Sequence, residues 1–158
     1  MVEPKKRKPA KSPGSAIKKQ GKAKAHSEAD YEALAQFRYR LRLFLAFSDT
    51  NAKKVGLTSQ QYQALLAIKG FSSERPMFVG ELARLLLIRH HTSVELVDRM
   101  AKHGLLQRTV DANDKRRVLV TPTKKGYLLL RKVAVVHFKH LGSSSRMLHK
   151  ISKLLGDV

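Results

Sequence analysis

Residues 79–126 read VGELARLLLIRHHTSVELVDRMAKHGLLQRTVDANDKRRVLVTPTKKG, and this stretch decides the fold. Apolar residues recur at helical spacing over Gly80–Leu87 and again from His90 to a helix-ending glycine, Gly104. Strand-like runs over Leu106–Val110 and Arg117–Val120 then flank a polar, basic loop. Two short helices followed by such a hairpin are typical of a winged helix-turn-helix, whose second helix can lie in a DNA groove.

Helical patterns also precede this stretch. Ser27 is a predicted N-cap, and the apolar stripe after it should end near Phe47, because Asp49-Thr50-Asn51 interrupts the pattern. Thr58 should cap a second helix that ends at Gly70.

Three further elements complete the predicted fold. Met77–Val79 fits a short strand that pairs with the wing, and Thr123–Leu141 fits a long helix. A last short helix is expected after Gly142, with Leu148 and Leu155 on its apolar face. The predicted fold class is therefore mainly α with a small β-hairpin wing, a winged helix-turn-helix with N- and C-terminal dimerisation helices.

The helices near the two ends of the chain are expected to pair with a second copy. Their apolar stripes, over Tyr31–Phe47 and Tyr127–Leu155, are more than a lone winged helix can cover, so we expect a homodimer. The predicted parts are a disordered basic tail over 1–26, an N-terminal dimerisation helix over 27–48, a winged helix-turn-helix lobe over 58–121 and C-terminal dimerisation helices over 122–158.

The charge of the chain indicates the chemistry of its partner. Its 158 residues include 32 Lys and Arg against 12 Asp and Glu, a net charge of +20. Such a charge points to a polyanion, either nucleic acid or an acidic membrane surface. No apolar run approaches the roughly 20 residues that a membrane span needs. We therefore expect a cytoplasmic protein that binds double-stranded DNA and no membrane.

No enzyme, cofactor or metal site is predicted. The sequence has no cysteine, no Gly-rich phosphate loop, no His-Glu-x-x-His helix and no Gly-x-Ser-x-Gly elbow. His137 and His140 lie three residues apart on the long C-terminal helix, a spacing that could hold a metal. Without a cysteine or an acid cluster nearby, they are better interpreted as ordinary surface or interface histidines.

The basic tail has two interpretations. Residues 1–26 hold nine of the 32 basic residues and one of the 12 acidic residues, so more than half of the net charge lies outside the tail. Pro4–Lys8, with the sequence PKKRK, looks like a nuclear import signal. The favoured interpretation is that the tail adds salt-sensitive, sequence-independent attraction to phosphates.

The stretch from Glu81 to Gly126 resembles the MarR family of bacterial transcription regulators. The resemblance covers about Ala33–Lys132. It rests on Glu81-Leu82-Ala83, Leu96-Val97-Asp98-Arg99-Met100, Gly104-Leu105-Leu106-Gln107-Arg108, Asp114-Lys115-Arg116 and the helix start at Thr123 and Gly126. This resemblance implies a winged helix-turn-helix dimer, usually a ligand-responsive repressor, that reads a pseudo-palindromic operator.

Four positions depart from the family pattern. Pro122 replaces the usual Leu, and Leu87 stands where many members have a turn Gly. Ser93 replaces an aliphatic residue, and Glu95 replaces a common basic residue. Base recognition is therefore not carried over from any relative.

The start of the recognition helix supplies the first set of candidate DNA contacts. The residues expected in the major groove are Arg89, His90, His91 and Thr92. Glu95 is either an acceptor for a cytosine amino group or a solvated charge. Arg99 either contacts a phosphate or pairs with Asp98 or Glu95.

The wing supplies the second set. The family resemblance assigns Arg116 to the minor groove, where narrow A·T-rich segments concentrate negative potential. Asp114 is expected to hold the Arg116 guanidinium by a charge-assisted hydrogen bond. Lys115 and Arg117 should add phosphate contacts.

The resemblance further implies a pocket for a small aromatic effector between the dimerisation helices and the winged lobe. Its candidate residues are Tyr31, Phe37, Phe44 and Tyr62, together with the long C-terminal helix. The simpler interpretation, which we favour, is that these aromatic residues are plain core.

Two other functions compete with sequence-specific regulation. One is an architectural, largely non-specific DNA-binding protein, which the Lys- and Pro-rich tail favours. The other is a protein-interaction scaffold that uses the fold without DNA, against which the basic wing argues. The ratio of specific to non-specific affinity separates the first of these from a regulator.

Deletion of residues 1–21 should weaken binding to all DNA sequences by a similar factor and flatten its salt dependence, because the tail would contribute phosphate contacts alone. Titration of the full and shortened chains with two unrelated duplexes, at two salt concentrations, tests this. A loss restricted to one duplex would contradict it.

Overall fold

A computed structural model describes residues 27–72 and 75–142, which fold into five helices and a three-stranded antiparallel sheet. In chain order the elements are α1 (Glu28–Lys54), α2 (Ser59–Phe71), β1 (Met77–Phe78), α3 (Val79–Leu85), α4 (His90–Lys102), β2 (Leu106–Val110), β3 (Val118–Pro122) and α5 (Lys124–Gly142). The predicted fold class is confirmed. The basic tail and the helix predicted after Gly142 lie outside the described residues.

Helix α1 begins as predicted but is longer. The Ser27 hydroxyl accepts a hydrogen bond from the Asp30 N–H at 3.3 Å, and the Asp30 carboxylate accepts one from the Ser27 N–H at 2.8 Å. The prediction that Asp49-Thr50-Asn51 breaks the helix is wrong. Side chains of this segment donate to carbonyls one turn earlier, so they are accommodated on the helix. The predicted end of the helix is residue 48, whereas the helix ends at Lys54. Gly56, two residues later, has a φ of +81°.

Helix α2 is capped as predicted. The Thr58 hydroxyl accepts from the Gln61 N–H at 3.2 Å, and the Gln61 side chain accepts from the Thr58 N–H at 2.9 Å. Gly70, the expected end, lies inside the helix, which continues to Phe71.

The sheet has the order β1-β3-β2, so the second wing strand lies in its centre. Met77 pairs with Val120 and Phe78 with Leu119, which confirms the predicted pairing of this segment with the wing. On the other side of β3, Arg108 pairs with Val120 and Val110 with Val118. Val120 is fully buried at the centre of the sheet.

One core holds the winged lobe to the helices that flank it. Its largest fully buried side chains come from α2, α3, α4, β3 and α5, namely Leu65, Ile68, Leu82, Val97, Met100, Val120 and Val133. Each such side chain contributes about 1.5–3 kcal/mol by leaving water. These residues come from elements that precede and follow the β2–β3 turn in the chain. Helix α4 is therefore packed against the whole winged lobe.

The turn between α3 and α4 is strained. Leu87 has a φ of +54° and is 93% exposed, so the residue at the family's turn-glycine position adopts the backbone region that glycine enters freely. Ser93, another departure from the pattern of the family that the sequence resembles, is fully buried, and its hydroxyl donates to the Val79 carbonyl at 3.2 Å. A polar side chain in place of an aliphatic one therefore ties α4 to the start of α3.

The recognition helix and α5 meet through backbone carbonyls. Thr123 donates to two of them: its N–H to Leu105 at 3.0 Å and its hydroxyl to Gly104 at 2.7 Å. The same hydroxyl accepts from the Gly126 N–H at 3.0 Å, so Thr123 caps α5 although Pro122 precedes it. The backbone is so close here that a Cβ built on Gly126 would clash with the Leu105 carbonyl oxygen.

Gly126→Ala should lower the free energy of unfolding by about 3 kcal/mol or more, because the neighbouring atom is backbone that is itself hydrogen-bonded and cannot turn away. Gly70→Ala is the matched control, since a Cβ there meets nothing within 4 Å. It should raise stability by up to about 1 kcal/mol, as alanine does in a helix. Urea denaturation of both variants measures the difference, and similar effects at the two positions would contradict the close approach.

Candidate nucleic-acid interface

The first turn of α4 faces solvent. Arg89 is the N-cap residue, and its side chain makes no capping hydrogen bond. His90 and His91 are exposed and Thr92 is half-buried. The apolar face of the helix is buried, as predicted, with Ser93, Leu96, Val97 and Met100 turned to the core. The sequence pattern therefore correctly distinguished the residues that pack α4 against the core from those that α4 exposes to solvent.

Farther along α4, two of the candidate residues pair with each other. The Arg99 guanidinium lies 3.7 Å from the Glu95 carboxylate, one turn earlier, and both side chains are more than half exposed. Of the two partners weighed for Arg99, the structure thus selects Glu95 and not Asp98. A pair this long and this exposed contributes little to stability, so both groups can exchange it for another partner.

Asp98 forms an ion pair with a different arginine. Its carboxylate forms a close ion pair with the Arg108 guanidinium of β2. The two residues lie in two separate family motifs, and their spacing along the chain offers no reason to pair them. Their contact joins the recognition helix to the first strand of the wing, and so fixes the angle between them.

The wing tip, residues 111–117, is organised by Asp114, but not as predicted. One carboxylate oxygen accepts from the Arg116 backbone N–H at 3.0 Å, and the other lies 3.1 Å from Nε of Arg117. The expectation that Asp114 holds the Arg116 guanidinium is therefore wrong, because the carboxylate takes the guanidinium of the next residue. In the described residues the Arg116 guanidinium has no ion-pair partner, and Lys115 and Arg116 are both exposed.

The Arg117 guanidinium makes contacts within the protein, although its side chain is 57% exposed. Besides its contact with Asp114, its guanidinium lies 4.9 Å from the centre of the Phe78 ring. Arg75 lies 4.4 Å from the centre of the same ring. Phe78 is not among the candidate residues predicted from the sequence, although a phenylalanine at the position that caps a helix is an unusual choice that marks it.

Glu81 holds Arg75, the other arginine that lies against the Phe78 ring. Its carboxylate accepts two hydrogen bonds from Arg75, at 2.5 and 3.0 Å, and one from the Phe78 N–H at 2.9 Å. The hydrogen bonds from Arg75, helped by the Phe78 N–H and nearby positive charge, hold the pKa of Glu81 at about 2, below its ordinary value of 4.5.

A cleft of about 340 Å³ lies between the start of α4 and the wing. Its floor is apolar, with Val79, Val94, Val97 and Val118. Basic side chains stand around it, namely Arg84, His90, Arg108, Arg116 and Arg117. Glu81 and Asp98 also line the cleft, and Asp98 pairs with Arg108, so α4 and the wing border a cleft with more basic than acidic side chains.

The four candidate effector residues do not form one group. Tyr62 is buried, and its ring stacks on the ring of His137 with centres 5.1 Å apart. Phe44 meets the His137 ring edge-on at 5.6 Å. Tyr31 is exposed and Phe37 is half-buried, and neither is among the rings that the structure shows against His137. Burial raises the pKa of Tyr62.

His137 is a core residue, which corrects its interpretation as a surface or interface histidine. It is 5% exposed, its Nδ1 lies 2.9 Å from the Val133 carbonyl oxygen, and Phe47 packs on it edge-on at 5.5 Å. His140 stacks on Phe47 with ring centres 4.3 Å apart. Over residues 27–72 and 75–142, no three His, Asp or Glu side chains come together in a way that could hold a metal ion.

Among the residues that the structure describes, no helix is both long and apolar enough to cross a bilayer.

Comparison with known proteins finds similarity to one family. Residues 55–117 match the model of the MarR family. A curated relative, the transcriptional activatory protein BadR of Rhodopseudomonas palustris, is 32% identical over 113 residues. That alignment covers 65% of this chain and 65% of BadR, just under two thirds of the length of the relative.

Solved structures share the fold at lower identity. AbsC, a MarR family transcriptional regulator from Streptomyces coelicolor, is 20% identical with a TM-score of 0.63, and the match covers 84% of this chain and 98% of AbsC. A single-residue mutant of MepR from S. aureus, bound to an oligodeoxyribonucleotide, is 19% identical with a TM-score of 0.59, over 79% of this chain and 95% of that one. RV1404 from Mycobacterium tuberculosis is 21% identical with a TM-score of 0.65, over 85% and 98%.

Glu81→Gln should destabilise the protein by about 1 kcal/mol at neutral pH, because it weakens a charge-assisted pair that is partly exposed. The folded pKa of Glu81 lies below its ordinary value, so its contribution is complete above about pH 4.5 and is lost as the pH falls toward 2. The unfolding curves of the wild type and the variant should therefore converge in acid.

Urea denaturation at several pH values between 7 and 3 measures this convergence. Arg75→Gln should reproduce it, since Arg75 is the main cause of the lowered pKa. A difference in stability that stays constant down to pH 3 would contradict the assignment.

Proposed function

We propose that this chain is a MarR-family transcription regulator whose winged helix binds duplex DNA as a homodimer. The observation that carries the proposal is the mainly basic cleft between α4 and the wing, which is lined by His90 from the start of α4 and by Arg116 from the wing. The family match and the two regulators among the relatives support it.

The recognition helix enters the major groove with its first turn. Arg89 pairs with a guanine or a phosphate there, and Thr92 meets a donor or an acceptor edge. The exposed imidazoles of His90 and His91 donate to phosphates. Glu95 and Arg99 exchange their weak mutual pair for a cytosine amino group and a phosphate, respectively.

The wing places Arg116 in the minor groove. Its guanidinium is exposed and has no ion-pair partner within the described residues, so insertion there breaks no ion pair. Lys115, also exposed, binds a phosphate. Asp114 contributes indirectly, by fixing the backbone from which both side chains extend.

The apolar faces of α1 and α5 support the homodimer. Large apolar side chains stand exposed along both helices, among them Tyr31, Leu34, Leu41, Leu45, Tyr127, Leu128 and Val135, and Phe138 is 71% exposed. Patches of this kind mark association surfaces. A two-fold dimer presents two recognition helices to a pseudo-palindromic operator, with half-sites about one turn of DNA, roughly 34 Å, apart.

A ligand response belongs to the same proposal. Rings from α1, α2 and α5 meet around His137, so a small aromatic effector that separated them would move the dimerisation helices against the winged lobe. Such an effector shifts the population between DNA-competent and incompetent dimers. Repression is the usual mode in the family that the sequence resembles, whereas BadR is named an activatory protein, so a transcription assay decides the sign.

Titration of the full chain with the duplex upstream of its own gene, beside a scrambled duplex of equal length, tests this function. A regulator should prefer the native duplex by roughly a thousandfold or more. Equal affinities that fall together as salt rises would instead support an architectural role, which the net charge of +20 also permits.

Arg116→Ala should lower the affinity for the preferred duplex by about 10- to 100-fold while the dimer stays folded, because one groove contact per subunit is lost. Arg116→Lys is the matched variant: it keeps the charge but not the planar guanidinium, and should recover only part of the affinity. Fluorescence anisotropy gives the affinities, and size-exclusion chromatography verifies the dimer. Wild-type affinity in Arg116→Ala would exclude this role for the wing.

A further inference from the structure

Phe78 occupies a position in which its side chain is poorly suited to the backbone. It is the N-cap of α3, with an extended backbone at φ −79° and ψ 148°. That position favours Ser, Thr, Asp or Asn, whose side chains accept a hydrogen bond from the first turn of the helix. A phenyl ring offers no such acceptor. A residue that breaks a local rule in this way is expected to serve a contact elsewhere.

The contact that Phe78 makes is with two guanidinium groups. Arg75 lies 4.4 Å and Arg117 4.9 Å from the centre of its ring, both within the range of a cation–π interaction. The backbone that carries the ring is held in place, because Phe78 pairs with Leu119 in the sheet and donates its N–H to Glu81. Arg75 is fixed too, by its two hydrogen bonds to Glu81.

Arg117 connects this ring to the wing tip. Its N–H donates to the Asp114 carbonyl at 2.8 Å, and its own carbonyl accepts from the Asp111 N–H at 3.0 Å. Its Nε lies 3.1 Å from the Asp114 carboxylate, which also accepts from the Arg116 N–H at 3.0 Å. The Phe78 ring, Arg117, Asp114 and the Arg116 backbone are therefore linked in sequence.

We infer that Phe78 is a positioning residue for the wing: its ring holds Arg117, and through Arg117 and Asp114 it sets the place from which Arg116 reaches the DNA. This inference rests on the proposed function, since it concerns the DNA contact of Arg116. It also gives Arg117 a different role from the phosphate contact expected from the sequence. Phe78 itself touches no DNA in this arrangement.

Phe78→Thr separates positioning from stability. Threonine restores a capping acceptor to α3, so the melting temperature should be unchanged or higher, while the aromatic ring is lost. The affinity for a duplex selected from a random-sequence pool by the full-length wild type should fall roughly fivefold, as expected for one lost cation–π contact. Phe78→Tyr keeps the ring and should bind like the wild type.

Phe78→Thr introduced into the Arg116→Ala variant tests whether Phe78 acts through Arg116. If Phe78 acts through Arg116, then Phe78→Thr should cause no further loss of affinity once Arg116 is gone. Arg117→Lys leaves Phe78 and the cap unchanged but removes the planar group that lies on the ring, and should lower affinity in the same way. This variant keeps the test decisive if Phe78→Thr reduces stability.

The outcomes separate the inference from the proposed function. If the wild type shows no preference for the selected duplex, or Arg116→Ala binds as the wild type does, the proposed function fails. If both of those results are as expected but Phe78→Thr and Arg117→Lys retain full affinity, the positioning role of Phe78 is overturned. An equal loss from Phe78→Thr in the presence and absence of Arg116 also overturns it.

Discussion

The junction between the end of the recognition helix and the start of α5 is the constraint on which the rest of the structure depends. Three successive carbonyls, of His103, Gly104 and Leu105, accept hydrogen bonds from Thr123 and Lys125. Gly126 permits this approach because it has no Cβ. Since α5 also packs on α1 and α2, the helices that carry the exposed apolar side chains are connected through α5 to the segment that directly follows α4.

A second set of contacts fixes the wing against the same helix. The Asp98–Arg108 pair joins α4 to β2, and the stacking of Arg75 and Arg117 on Phe78 joins the sheet to the wing tip. The charged groups in these contacts lie largely at the surface, so they contribute little to stability. The buried valines and leucines of the lobe supply the stability, and the ion pairs determine which charges remain without an ion-pair partner. Arg116 is such a charge within the described residues.

The sequence predicted the elements well where a local signal determines the structure. The caps at Ser27 and Thr58, the buried face of α4 and the pairing of Met77 and Phe78 with the wing all follow from spacing and hydrogen-bonding capacity. It failed at Asp49-Thr50-Asn51, because residues that compete with a helix can also bond back along it. The burial of His137 depends on contacts between elements that are distant in the sequence, and periodicity does not specify such contacts. The partner of Asp114 is local, but the spacing of the loop does not distinguish the guanidinium of Arg116 from that of Arg117.

The position of α1 and α5 along the chain has a consequence for biosynthesis. The ribosome delivers α1 first and α5 last, with the whole winged lobe between them. During translation α1 therefore emerges with its apolar residues exposed and waits for the partner against which it packs, while the lobe can begin to form from contacts closer in sequence. Nascent chains must thus synthesise α5 before the packing between α1 and α5 is complete.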